Sequence, residues 1–461
     1  MNKRLAALLL LVALFLAAIL LPENGRVQSH SVVHQHEVWP QESEAATGFD
    51  EFGNLTTHLP LLIVQVNGRE IPGITRETDE KLICEYAIID NPDGVNCSRD
   101  VPTQTGTMAI SIRGNSSRAF PKKQYAVKLV DKEGMPEKQS LLGMPAESTW
   151  ILNGSFIDHS QLRNYILYNI SGEIMDYAPR CRLCEVMFTD ESGQVMYQGV
   201  YTLIERPKVS EVRLNITEYD PKYTETSFLL QMNAHISGIE IPHLKADDVD
   251  VYRSELEYPD YLEITEASTS YIKREMLAFE KTLYDAYYTK NWENIDAYID
   301  MKSFADYYII NEFFQNYDSG RRSTYLYKGL GGKISMGPVW DFDSAFNNFD
   351  HMQMEIDWLD VKTTFYYFYL SQCPAFIDQV IDRYPKLRKT VLSDENLSAY
   401  IDNSCTYLGS AALRNCDKWY NGDNTLYYDD IEAMKAFVKN RGEWMDCHFV
   451  ELSKLVNGEA E

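Results

Sequence analysis

Positive charge is scarce in this chain of 461 residues: 43 Lys and Arg face 68 Asp and Glu, for a formal net charge of −25. Such a polyanion repels DNA, RNA and anionic membrane surfaces outside any local basic patch, so no nucleic-acid partner is expected. A small anion such as a nucleotide is still admissible in a cleft that is locally basic or carries divalent cations. An internal repeat is also missing. So is a second closely spaced cysteine pair: Cys181 and Cys184 stand two residues apart, but nothing completes a tetrahedral zinc set. The eight cysteines, at 84, 97, 181, 184, 373, 405, 416 and 447, are read as structural disulfides or free thiols. Local spacing shows neither a Ser–His nor a Cys–His nucleophile arrangement, which leaves covalent hydrolysis with little support.

The apolar content is ample for one large domain or two lobes. At the N-terminus, Lys3 and Arg4 precede an unbroken apolar run from Leu5 to Leu21, the pattern of an export signal. The run is long for a signal core and slightly short for a spanning helix, so residues 1–22 read as a signal peptide or an N-terminal membrane anchor. No cysteine near its end suggests a lipid anchor. The protein is therefore expected outside the cytoplasm, secreted or anchored. Residues 23–56 read as a polar linker, with His30, His34 and His36 as solvated tether rather than metal site.

From Leu59 the pattern is strand-like: "LPLLIVQVNG", "KLICEYAIID" and "TMAISIRGNSS" end in turn residues. In "QYAVKLVD" a period of two puts Tyr125, Val127 and Leu129 on one face, with Ala126 and Lys128 on the other. Asp158 followed by Gln161 predicts a capped helix of some five turns carrying Leu162, Tyr165, Ile166 and Ile170. "RLCEVMF" and "QGVYTLIE", flanking the turn at 190–193, predict a hairpin. After Glu205 helical spacing dominates, over 270–316 and again from 362 onward. The run from Phe365 to Tyr369 reads as a helix packed on both sides, with a sugar-stacking surface as the sharper alternative.

The stretch "VWDFDSAF" sets Asp341 and Asp343 among apolar and aromatic residues. Ionised carboxylates in such surroundings need compensation. Asp318 lies twenty-three residues earlier, and "TYLYKGLGGKISMGPVWDFD" between them reads as a hairpin that returns Asp341 toward Asp318. Asp341 and Asp343, two apart on an extended strand, would point to one side and could hold one or two Mg²⁺ ions, with substrate phosphates completing the shell. The bland alternative is that these acids cap turns or pair with Arg321 and Arg322.

"IRGNSSRAFPKKQYAVKL", "LLGMPAESTWILNGSFIDHSQLRNY", "GVYTLIE" and "NEFFQNYDSGRRSTYLYKGLGGKISMGPVWDFDSAF" together resemble the successive blocks of the CotH kinase family, the spore-coat-protein-H-like atypical kinases. The resemblance covers roughly residues 57–350. It implies an α+β, divergent protein-kinase-like two-lobed fold: a sheet-rich N-lobe at 57–205 and a helix-rich C-lobe at 206–455, with its catalytic segment at 311–348. It also implies ATP with Mg²⁺ or Mn²⁺, and phosphorylation of Ser or Thr on a secreted, surface or coat protein. Asp318 resembles the catalytic aspartate that accepts the hydroxyl proton. Asp341 would be catalytic and a metal ligand, and Asp343 a further ligand. Arg113, Asn115 and Ser116, in the turn through Ser117, would cradle phosphates. Lys128 resembles the strand lysine, and Lys122 and Lys123 also fit a phosphate-facing role. Ser323 stands five residues after Asp318, where many relatives have Asn, and Asn348 could reach metal or nucleotide. Glu173 is available as the lysine's partner by composition only. Arg163 and Asn164 either organise the cleft or lie on a helix surface. A non-catalytic surface or spore-coat scaffold and a metal-dependent hydrolase are the competing readings.

Overall fold

Seven strands between Leu61 and Glu205 close on themselves. The computed structural model describes residues 37, 47–73, 80–233, 236–245, 253–348, 359 and 361–457. The apolar leader and the three histidines of the linker lie outside these residues. Among the described residues no helix is long and apolar enough to cross a membrane.

The first strands are β1 (Gly48–Phe49), β2 (Leu55–Thr57), β3 (Leu61–Val64), β4 (Leu82–Ile89) and β5 (Asn96–Cys97). β1, β2 and β5 make a small sheet in which Leu55 and Thr57 are buried, so the end of the stretch read as linker is folded chain. β6 (Gln104–Arg113), β7 (Gln124–Val130), β8 (Thr149–Asn153), β9 (Cys181–Thr189) and β10 (Val195–Glu205) join β3 and β4 in a closed barrel of order β10-β8-β7-β6-β4-β3-β9. Its one parallel seam pairs Leu61 with Glu185, and β9 and β10 form the expected hairpin. Tyr125, Val127 and Leu129 point into the barrel with Trp150, Val186 and Leu203, as the alternation required. Closure leaves no free sheet edge among these strands.

Between β8 and β9 runs helix α1 (Arg163–Gly172), shorter than expected and starting later. The reason is local. Gln161 adopts φ +60°, and the Asp158 carboxylate bonds the Arg163 N–H at 2.9 Å, so residues 158–162 are an ordered turn. All ten residues of α1 are buried: one side packs on the outer barrel face through Cys181, Leu183, Val200 and Ile204, the rest on the helical region.

The region after 205 is not helical throughout. β11 (Phe228–Asn233), β12 (Glu240–Ile241), β13 (Arg253–Tyr258), β14 (Thr324–Lys328) and β15 (Ile334–Met336) form a second antiparallel sheet of order β12-β13-β11-β14-β15. Against it stand α2 (Glu266–Thr289) and α3 (Met301–Phe313), followed by α4 (Phe365–Leu370), α5 (Pro374–Arg388), α6 (Asp394–Leu408), α7 (Ser410–Trp419), α8 (Thr425–His448) and α9 (Leu452–Asn457). Thr265 caps α2 by accepting from Ser268 N, and Asp300 caps α3 in the same way. The aromatic run of α4 is core, not surface: Tyr366 meets Phe279 at 5.1 Å, Tyr369 meets Tyr284 at 4.7 Å and Tyr367 meets Tyr308 at 5.3 Å. The class is α+β, with a seven-stranded barrel in the stretch read as a sheet-rich N-lobe. All eight cysteines are free thiols.

Candidate active site

Beyond α3 the backbone runs beside residues 341–348. Phe346 N donates to Phe314 O at 2.7 Å, and the Ser344 hydroxyl donates to Asn316 Oδ1 at 3.2 Å. The β14–β15 hairpin supplies the reversal, so Asp318 and Asp341 are neighbours. Burial, then the Asp341 charge, pushes the Asp318 carboxyl up to about 6, against the downward pull of Arg322 and Arg321. Arg322 Nε lies 3.0 Å from Asp318 Oδ1, so this arginine, weighed as a partner of Asp341 and Asp343, pairs with Asp318. Ser323 donates its hydroxyl to Asp341 Oδ2 at 3.0 Å.

Asp341 does not lie on a strand. It has φ +62°, and the chain turns through 343–347, so the period-two argument for Asp341 and Asp343 does not apply. What orders the segment is α1. Tyr168 Oη accepts from Asp341 N at 3.1 Å, and Asn164 Oδ1 accepts from Phe342 N at 2.9 Å. The Asn164 amide donates to Asp343 Oδ1, and Arg163 Nε donates to Ala345 O at 3.0 Å. Arg163 is itself held by Asp158 at 2.6 Å and, across the molecule, by both oxygens of Asp430 on α8. Arg163 and Asn164 are therefore buried and bonded to the Asp341 segment, not exposed on a helix surface. Asn348 ties the segment down by donating to Asp343 O at 2.9 Å and Ile157 O at 3.1 Å. Burial, followed by the Asp341 charge, drives the Asp343 carboxyl upward.

The basic candidates divide. Arg113 faces the acids' segment: its guanidinium stands 5.8 Å from the Trp340 ring and donates to Gln124 Oε1 at 2.9 Å. The turn after it needs Gly114, at φ +102°, since a Cβ there would fall 1.9 Å from Ser117 Oγ. Asn115 donates to Asn233 on β11, and Ser116 opens a short 3-10 turn at Ser116–Ala119. Lys128 is on the outer barrel face beside Ala109 and Thr149, and Lys123 donates to Arg118 O at 2.7 Å. Lys122 is the lysine that the fold buries. It donates to Gln161 and to Asn415 on α7 and sits 5.0 Å over the Tyr201 ring. Burial lowers it to about 7 against the pull of Asp158 and Asp343. Glu173, at the end of α1, lines a cavity shared with α6.

Among the described residues no group of three His, Cys, Asp or Glu converges as a ready metal site. The residues nonetheless suit a divalent cation. Asp341 lies between two acids that its charge raises, an excess of negative charge that a cation would relieve. Asp341 and Asp343 would hold it, with water and phosphate completing the shell.

One arrangement that spacing could not reveal lies elsewhere. His243 Nδ1 bonds Glu280, and its Nε2 lies 2.8 Å from Ser254 Oγ, the order of a nucleophile relay. Ser254 is wholly buried, and Glu280 also accepts from Tyr366 and Leu244 N. The chain of bonds ties α2 to α4 and β13.

A family model, that of the CotH kinase protein, matches residues 110–445, most of the chain. No curated protein matches it.

Proposed function

The chain belongs to the CotH kinase protein family, and we propose that it is an exported, Mg²⁺-dependent protein kinase that moves the γ-phosphoryl group of ATP to Ser or Thr of a secreted or surface protein, through a divergent two-lobed kinase-like fold. The observation that carries the reading is the pairing of Asp318 with Asp341 across twenty-three residues, with Ser323 bonded to Asp341. Asp318, raised toward neutrality, is suited to take the proton of an attacking hydroxyl near neutral pH. Asp341 and Asp343 would hold the cation, Asn164 and Tyr168 fix their segment, and Arg113 with the 114–117 turn would face the phosphates. A bound Mg²⁺ would offset phosphate charge; the protein's own part is positioning.

Incubation of the chain with Mg²⁺ or Mn²⁺ and γ-labelled ATP, beside Asp318→Ala and Asp341→Ala, tests this. Label should appear on protein with the wild type alone, and equal labelling by all three ends the reading. The second reading is a surface or coat scaffold that binds nucleotide without transferring phosphate. The Arg322–Asp318 ion pair and Ser323 in place of Asn favour it. Nucleotide binding that survives Asp318→Ala without transfer would be its signature.

A further inference from the structure

Ser155 is held everywhere except at its hydroxyl. It stands in the loop that joins β8 to the ordered turn at 158–162. Its N–H donates to Asn153 Oδ1 at 2.8 Å, and its carbonyl accepts from Gln161 Nε2 at 2.9 Å. Gly154 before it is clamped as well, since a Cβ there would fall 2.6 Å from the Tyr201 ring and 2.8 Å from Lys123 O. Two residues on, Ile157 O accepts from the Asn348 amide, which also bonds Asp343 O, so the loop is clasped to the acids' segment. The Ser155 residue is only 6% exposed, and its Oγ has no hydrogen-bond partner among the described residues. Buried hydroxyls are nearly always bonded, so an orphaned one needs a reason.

The reason lies beside it. Burial and then the Asp341 charge oppose ionisation of Asp343, whereas the Ser155 hydroxyl favours it, as does the Asn164 amide. Ser155 therefore stands against the Asp343 carboxyl without bonding to it. Asn164 reaches the same carboxyl from α1 and takes Oδ1. The nearby Lys122 ammonium is spent on Gln161 and Asn415. We propose that Ser155 Oγ is a third protein ligand of the divalent cation that Asp341 and Asp343 hold. The inference rests on the assignment of those two acids to the cation. It adds a neutral, hard oxygen from a loop whose backbone is fixed beforehand, the donor type that Mg²⁺ and Mn²⁺ accept. A set of two carboxylates and one hydroxyl is also consistent with the lack of three converging His, Cys, Asp or Glu among the described residues.

Replacing the hydroxyl by a thiol tests this without reference to catalysis, because a soft sulfur ligand changes which metal is preferred and a merely structural side chain does not. Mn²⁺ bound to the full chain is followed by electron paramagnetic resonance, and Cd²⁺ is titrated against it, so that only displacement at the Mn²⁺ site is read. Ser155→Ala should lower Mn²⁺ affinity by about tenfold and leave the ratio of Cd²⁺ to Mn²⁺ affinity within about twofold of wild type. Ser155→Cys should raise that ratio by about tenfold or more. An unchanged ratio in Ser155→Cys overturns the proposal, as does wild-type Mn²⁺ affinity in Ser155→Ala. Should the thiol variant fail to fold, the Ser155→Ala titration decides alone. A wild-type chain that binds no Mn²⁺ sinks the assignment of Asp341 and Asp343 as well, so the two failures are distinct.

Discussion

Ser323 Oγ donates to Asp341 Oδ2 at 3.0 Å, although Ser323 has φ +50° and Asp341 φ +62°. Two left-handed non-glycine residues facing one another across the acid cluster are backbone strain held by the surrounding fold, as functional sites tend to hold it. Ser323→Ala removes a hydrogen bond to a charged acceptor and should weaken Mn²⁺ binding by about threefold to tenfold. Ser323→Asn, supplying an amide oxygen, should restore or tighten it. A Mn²⁺ titration followed by electron paramagnetic resonance reads both, and unchanged affinity in both variants would detach Ser323 from the metal.

The Asp318 carboxyl sits near 6 because it is buried beside Asp341. Its folded-state value lies above the unfolded one, so the folded chain holds the extra proton between about pH 4 and 6, and stability falls as pH rises through that window. Asp318→Asn cannot ionise. The variant's stability relative to wild type should therefore grow from pH 4 to pH 7, by on the order of 1–3 kcal/mol after allowing for Arg322 and partial exposure. Urea unfolding of both chains without divalent ions at the two pH values checks it, and a difference that shrinks as pH rises contradicts the assignment.

Arg163 holds the acids' segment only because Asp430 and Asp158 hold Arg163. Asp430→Ala leaves a buried guanidinium half-compensated and should cost about 3–5 kcal/mol. The urea midpoint should fall accordingly. A surface acid of the same helix, Asp429→Ala, should leave it in place.

Asn164 uses both ends of its amide, one on Phe342 N and one on Asp343. Asn164→Ala should lower Mn²⁺ affinity by about tenfold, the scale expected when a residue that orients a ligand is lost. Calorimetric titration with Mn²⁺ measures it. Affinity equal to wild type would show that the segment is rigid without α1.

Much of the barrel was legible because its signal is local: alternation in "QYAVKLVD" and "KLICEYAIID" fixes which side chains face inward, whatever else the chain does. The pairing of Asp318 with Asp341 was legible for a similar reason, since the hairpin between them is written in its own turn residues. The start of α1 was misplaced because Asp158 spends its carboxylate on Arg163 and Ser160 instead of capping at once. The other three strands of the second sheet, β11 to β13, escaped notice because they are short, so no window carries their period. Lys122 could not be told from Lys123 by position, because only the arrival of Asn415 from α7 buries one of them.

By itself, then, the sequence determined the alternating strands of the barrel, the helices of the second half and the family block that carries Asp318, Asp341 and Asp343. Each of these is encoded within a few dozen consecutive residues. Tertiary structure alone decided that the strands close, that α1 rather than a strand shapes the Asp341 segment, and that Asp430 completes its support from 267 residues further along the chain than Arg163. Those outcomes depend on burial and charge compensation between segments remote in sequence, and no local pattern encodes which remote partner will arrive.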